Sequence, residues 1–152
     1  MNKQIKNPMT DEEFVKTMCF TKNNVEEKEY KIHKLIYNLK IVNVPKIYKY
    51  DKKNKTMVMQ KIFGMNISDE YGEDAKNVPP DIFKTAQEII KKLYCYGIEY
   101  PDITGYNFML YNDKMYIIDF EYCNFFSNKG KNIDPFIKEF IDGLCEWNPN
   151  YK

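Results

Sequence analysis

Seven apolar residues, Ile82, Phe83, Ala86, Ile89, Ile90, Leu93 and Tyr94, fall at i, i+1, i+4, i+7, i+8, i+11 and i+12 behind Pro80. That spacing is one face of an α-helix, and no other stretch commits so firmly to one element. Asp81 at its start and Lys91 and Lys92 near its end complement the helix dipole, and Gly97 stops it. The segment behind it, "YPDITGYNFMLYNDKMYIIDFEY" (residues 100–122), sets Asp102, Asn107 and Asp119 among aromatic and β-branched residues that ought to be buried. Here "FML" and "MYIID" read as a hairpin. Asp102 taken alone could be a turn residue, and Asn107 alone could satisfy loop carbonyls. Asp119, at the end of an apolar strand, needs a partner, because a buried carboxylate without one is costly.

Upstream, Thr10 followed by Glu13 is a capping-box signature for a short helix. "CFTK" then reads as a strand, although residues 14–21 could form one longer strand. From Asn24 the period is helical, with Val25, Tyr30 (Ile32 beside it), Leu35, Ile36 and Leu39 as the apolar face and Asn23 or Asn24 as the cap. Residues 47–50, the turn "DKKNK" and residues 56–62 make a hairpin, and "SDEYGEDAKNVPP" is a polar connector with room for one helical turn. A last helix starts near Asp134 and Pro135 and would bury Phe136, Ile137, Phe140, Ile141 and Leu144. Hairpins separated by helices predict an α+β fold with antiparallel pairs.

Composition narrows the function. A length of 152 residues allows one domain with a real core, and 43% hydrophobic content makes it globular. A net charge of +1 gives no electrostatic case for nucleic acid or an anionic membrane. Every basic residue is Lys, a bias that looks like codon pressure from an AT-rich genome. Without guanidinium groups, any phosphate site must use Lys and backbone N–H groups. Cys19, Cys95, Cys123 and Cys145 are widely spaced and His33 is the single histidine, so a zinc site is not expected. Reduced cysteines, a first segment without the apolar core of a signal peptide, and no membrane-length apolar run predict a cytoplasmic protein.

Asp102, Asn107 five residues on, and "IDFEY" closing the hairpin resemble the catalytic loop and metal motif of protein kinases, D-x-x-x-x-N followed by D-F-G. The order "GI", "D-x-T", Asn, "IDF" is similar to the RIO kinases and to the small atypical kinase of the KEOPS tRNA-modification assembly. "IDFEY" also resembles choline and aminoglycoside kinases, and the overall wording resembles kinase-like proteins of giant DNA viruses. The resemblance covers residues 24–144 and is strongest over 98–121. It implies a protein-kinase-like fold with a reduced N-lobe (1–64), a hinge or connector (65–80) and a reduced, mostly helical C-lobe (81–152), together one domain. It implies ATP and Mg²⁺ as cofactors. Asp102 would accept the proton of a hydroxyl, and Asn107 and Asp119 would hold the metal. Glu29 would be the αC glutamate, paired with Lys22 or Lys16, of which Lys22 is favoured. Adenine would meet the backbone of Gln60, Lys61 and Ile62. Thr104 would stand where other kinases have the catalytic-loop lysine, and Asp134 would open the next helix and brace the loop.

The sequence departs from the pattern in several places. Tyr100 and Pro101 replace His-Arg, and Glu121 replaces the D-F-G glycine. The glycines are at 64, 72, 97, 105, 130 and 143, so no glycine-rich phosphate loop precedes Glu29. The function expected is a minimal Mg²⁺-ATP-dependent serine/threonine protein kinase. The alternative is a pseudokinase that binds a protein or nucleotide without turnover, with small-molecule phosphorylation ranked last. Partners expected are ATP and a protein substrate or docking protein, and a homodimer through an exposed face of the Glu29 helix is allowed. No nucleic acid or membrane partner is expected. Location would be the cytoplasm, or host cytoplasm or virion if the source is viral. Tyr100, Tyr106, Phe120, Trp147 and the cysteines are expected in packing. Glu121 is expected in a loop salt bridge, and His33 at the surface or partly buried and not a ligand.

Overall fold

A computed structural model of the chain describes residues 8–126 and 134–147. Thr10 caps α1 (Asp11–Met18) through a bond from the Glu13 N–H to its Oγ1, and the chain passes straight into β1 (Cys19–Lys22). Asn24 takes a left-handed φ of 58°, which Asn tolerates, and turns the chain into α2 (Glu27–Leu39). The cap position is Glu26 and carries no side-chain cap bond, so the expected Asn cap is corrected to an Asn turn.

The buried stripe of α2 also differs from expectation. Glu29, Ile32, His33 and Ile36 face inward, while Leu35 and Leu39 are exposed. The hydrophobic pattern misled because the inward stripe carries a carboxylate and an imidazole, each with a partner.

β2 (Ile47–Asp51) and β3 (Thr56–Gln60) form the expected hairpin, but β3 stops at Gln60 rather than residue 62. β1 pairs with the other side of β3, giving an antiparallel sheet in the order β1-β3-β2. A small cluster of Val25, Met57 and Met59, closed by Tyr30, Ile47 and Tyr50, fills the space between this sheet and α2.

The polar segment after the sheet is ordered. Met65 and Asn66 form β4, followed by α3 (Ile67–Tyr71) and a 3₁₀ turn over Ala75–Asn77. β4 pairs with β6 (Phe108–Tyr111), which pairs with β7 (Lys114–Ile117). Gly64 makes this passage possible: a Cβ there would lie 1.9 Å from the Leu110 carbonyl oxygen.

α4 (Pro80–Cys95) buries Ala86, Ile89, Ile90 and Leu93, as its periodicity predicts. Gly97, at φ 83°, turns the chain into β5 (Ile98–Glu99), which pairs with β8 (Asn124–Phe125). α5 (Pro135–Ile141) starts at Asp134, whose carboxylate accepts the Phe136 and Ile137 N–H groups. Ile137 and Phe140 are buried, but Leu144 is 75% exposed and not in the core. The main core gathers α2, α4, α5 and the β6-β7 hairpin around Leu93, Tyr100, Phe108 and Phe120. Burying one such side chain contributes roughly 1.5–3 kcal/mol. No helix among the described residues is long and apolar enough to cross a membrane.

Candidate functional site

Lys22 ends β1, beside Met57 of the central strand, and its Nζ reaches two carboxylates. It lies 2.7 Å from Glu29 Oε2 and 3.1 Å from Asp119 Oδ1. Glu29 is 3% exposed and reaches inward from the first turn of α2. Burial pulls the Lys22 ammonium toward neutrality, but the Glu29 hydrogen bond and the charges of Asp119 and Glu29 outweigh it, and its pKa is raised. Burial also lifts the Glu29 carboxyl; the Lys22 bond works against this, and the Asp119 and Glu121 charges add to it. We take Lys22 as a firmly held cation, because two carboxylates meet one ammonium. Lys16, the alternative, is exposed in the last turn of α1 and joins none of these contacts.

The side that carries Asp102 and Asn107 is built from the backbone outward. Asn107 Nδ2 donates to the Asp102 carbonyl at 2.8 Å and to Asp102 Oδ2 at 3.1 Å. The Asn107 carbonyl accepts the Ile118 N–H at 3.0 Å, and the buried Tyr100 hydroxyl donates to the Ile118 carbonyl. Ile118 is thus gripped on both sides of its peptide by the loop that carries Asp102. The next residue, Asp119, has φ 64°, uncommon for a non-glycine residue. Phe120 is fully buried against His33 and Tyr100, at ring distances of 5.0 and 5.7 Å. The loop grips position 118 and the core anchors position 120, so the chain turns at Asp119 with its carboxylate toward Lys22. Asp119 Oδ1 also accepts the Glu121 N–H at 3.3 Å. Glu121 makes no ion pair among the described residues, contrary to expectation, and offers the turn only this backbone bond.

Asp102 is partly buried, which raises its carboxyl pKa; the Asn107 bond opposes the rise and the Asp119 charge supports it. A raised pKa makes its carboxylate a better proton acceptor. Asn107 Oδ1 and the Asp119 carboxylate are hard oxygen donors of the kind Mg²⁺ takes. No group of three His, Cys, Asp or Glu side chains suited to a metal is present among the described residues. A magnesium site with few protein ligands and substrate phosphates needs no such group.

Between the sheet and β6 lies a cleft of about 410 Å³. Phe20, Met59, Ile62, Met109 and Ile118 line its apolar part, and Lys22, Glu29 and Asp119 its polar end. The backbone expected to meet adenine is partly occupied. The Gln60 N–H donates to the Lys46 carbonyl at 2.7 Å and the Lys61 N–H to the Met18 carbonyl at 3.1 Å. Ile62 carries the next N–H along, and that group has no partner among the described residues.

Three expectations are corrected here. Thr104 is 1% exposed, its hydroxyl accepts the Tyr106 N–H at 3.2 Å, and it does not line the cleft. Asp134 opens α5 as its cap, as expected, but among the described residues it makes no bond to the loop that carries Asp102. His33 is buried and pairs with the Pro45 carbonyl at 2.7 Å, and burial lowers its pKa to about 4, so it is a neutral donor beside the cleft. Sequence reading missed Phe20 and Met109. Alternation places Met109 opposite Phe108 and Leu110, but nothing local says which face meets a cavity.

The RIO domain family matches residues 7–127. A curated relative, described as a probable serine/threonine-protein kinase BUD32 homolog of Archaeoglobus fulgidus, is 28% identical over 111 residues. The alignment covers 73% of this chain and 53% of that protein, so the chain spans about half the length of this relative. Among solved structures, the Cydia pomonella granulovirus kinase PK-1 superposes with a TM-score of 0.54 at 15% identity, covering 70% of this chain and 42% of the viral kinase. The fold is kinase-like, with both the sheet-bearing and the helical part small.

Proposed function

The chain belongs to the RIO domain family, and on that premise we propose that it is a minimal ATP-dependent phosphotransferase acting on a serine or threonine hydroxyl of a protein. One observation carries the reading: Lys22 Nζ bridges Glu29 and Asp119 at the polar end of an apolar cleft, with the linked Asp102 and Asn107 on the adjoining loop. Phe20, Met59 and Met109 would sandwich the adenine, and the Ile62 N–H would donate to its ring. Lys22 would bind the phosphates, with Glu29 keeping the ammonium in place. Asp102 would orient the acceptor hydroxyl and take its proton at Oδ1, since Oδ2 is tied to Asn107. Asn107 Oδ1 and Asp119 would hold Mg²⁺, which when bound neutralises charge on the transferring phosphate. Positioning and charge stabilisation supply most of the rate in such transfers, which favours catalysis by a set of groups as short as this one.

A second reading is nucleotide or partner binding without turnover. It is favoured by β1, which pairs with β3 alone among the described residues, so no strand there covers the phosphates. Incubation of the purified chain with Mg²⁺, γ-labelled ATP and a mixed protein acceptor separates the two. Label transfer that falls by about 10²–10⁴-fold in Asp102→Ala and in Asp119→Ala supports catalysis. Mg²⁺-dependent ATP binding without transfer assigns the second reading, and absence of both sinks the first.

A further inference from the structure

Charge is segregated along this chain. Residues 28–61 carry ten Lys against two acids, Glu29 and Asp51, although the whole chain is at +1. Within that stretch α2 and β2 enclose an open groove of about 300 Å³. Its walls include Tyr30, Lys34, Tyr37, Ile47, Lys49 and Tyr50, and no carboxylate lines it. Nearby, Lys31 and Lys52 share Glu27, and Lys55 pairs with Glu26. Lys34 and Lys49 are exposed and make no ion pair among the described residues. The groove therefore presents two exposed ammonium groups that no ion pair ties up, although the Asp51 carboxylate acts on Lys49 through space.

The groove also runs along a strand edge. β2 pairs with β3 on one side, and its other side has no strand partner among the described residues. An extended segment can add there through main-chain hydrogen bonds. The aromatic rings of the groove, Tyr37 apart, argue against a nucleic acid, which needs free ring faces for base stacking. Tyr30 and Tyr50 are stacked on each other at 4.3 Å, and Lys34 lies 5.6 Å from the Tyr30 ring centre. Tyr48 is met by Phe14 and by Lys46.

We propose that this groove docks an extended acidic segment of a partner protein, added as a further strand on β2, with its carboxylates on Lys34 and Lys49. The site uses the Tyr30, Lys34 and Tyr37 face of α2 and not the buried face that holds Glu29. It is therefore independent of whether the cleft turns over ATP.

The test is fluorescence anisotropy of a labelled short peptide of alternating Glu and Thr, titrated with the full chain at low salt. The expected result is saturable binding that weakens as salt rises. Lys34→Glu combined with Lys49→Glu should weaken it by roughly tenfold or more, while Lys84→Glu with Lys91→Glu on α4 leaves it unchanged. A peptide N-methylated at alternate residues should lose binding, because it cannot pair with a strand edge. No saturable binding, equal affinity for the Lys34/Lys49 variant, or undiminished binding of the N-methylated peptide overturns the proposal. Tighter binding of oligouridylate that is lost with the same charge reversal would assign the groove to RNA and overturn it too. The salt and N-methylation comparisons use the unaltered protein, so they decide the matter even if the double variant fails to fold.

Discussion

The two sides of the cleft are held in place by different means. On the loop side, Asp102, Asn107 and Asp119 hang from a framework of buried groups: Tyr100, Phe108, Ile117 and Phe120 are all at or near zero exposure. On the sheet side, Lys22 sits on a four-residue strand beside Phe20, which is 53% exposed, and is positioned mainly by its two ion pairs. The loop side is preorganised by packing, whereas the sheet side is preorganised by charge. Packing resists salt and pH, and charge does not, so the two sides should fail under different treatments.

The largest effect expected is at the join between them. Gly64→Ala drives a Cβ into the Leu110 backbone, which cannot move without breaking β4-β6 pairing. A loss of about 3 kcal/mol or more is expected, read as a lowered urea midpoint. A loss under 1 kcal/mol would show the two sides to be less tightly joined than the backbone contact implies.

Acid should strike next at His33, whose buried ring joins the Glu29 helix to Phe120 on the loop side. The folded pKa of His33 is about 4, below the 6.5 of an ordinary imidazole. The unfolded chain therefore takes up the proton first, so the contribution of neutral His33 is present above pH 6.5 and is lost as pH falls toward 4. The fall amounts to at most about 3 kcal/mol. Denaturation at neutral pH and near pH 4.5 measures it, and His33→Gln should flatten the difference.

Lys22→Met leaves Glu29 buried without its cation, so it should lower stability by roughly 1–3 kcal/mol and weaken nucleotide binding about tenfold by calorimetry. Lys16→Met should do neither. Equal effects of the two would reverse the assignment of the lysine.

The smallest effect tests the loop side. Tyr100→Phe removes one buried hydroxyl bond to Ile118 while keeping the ring, at about 1 kcal/mol. Any loss of transfer beyond that of stability would show that the bond positions Asp119 and does not merely support the fold.

Much of the frame was legible before any coordinates. α4 was plain because helical period is a local property, carried by residues that are neighbours in sequence. The cap at Thr10 was legible for the same reason, through a short local pattern, whereas the pattern left β1 open between residues 19–22 and a longer strand over 14–21. The buried face of α2 was not, because Leu35 and Leu39 look more apolar than His33 and Glu29. Only the groups that oppose a helix decide which side is inside, here Pro45, Lys22 and Phe120. β4, two residues long, has no period to read.

By itself the sequence determined the residue types and their spacing: Asp102, Asn107 and Asp119, a helix before them and a hairpin between them. It also determined that any phosphate would be met by lysine, since the chain has no arginine. Tertiary structure decided which lysine reaches both Glu29 and Asp119, a choice the sequence only leaned toward. Lys22 and Asp119 are 97 residues apart, and with many lysines in the chain a pairing at that separation leaves no mark in local pattern. It also decided that Thr104 serves a turn, because a side chain's job depends on what burial leaves within its reach.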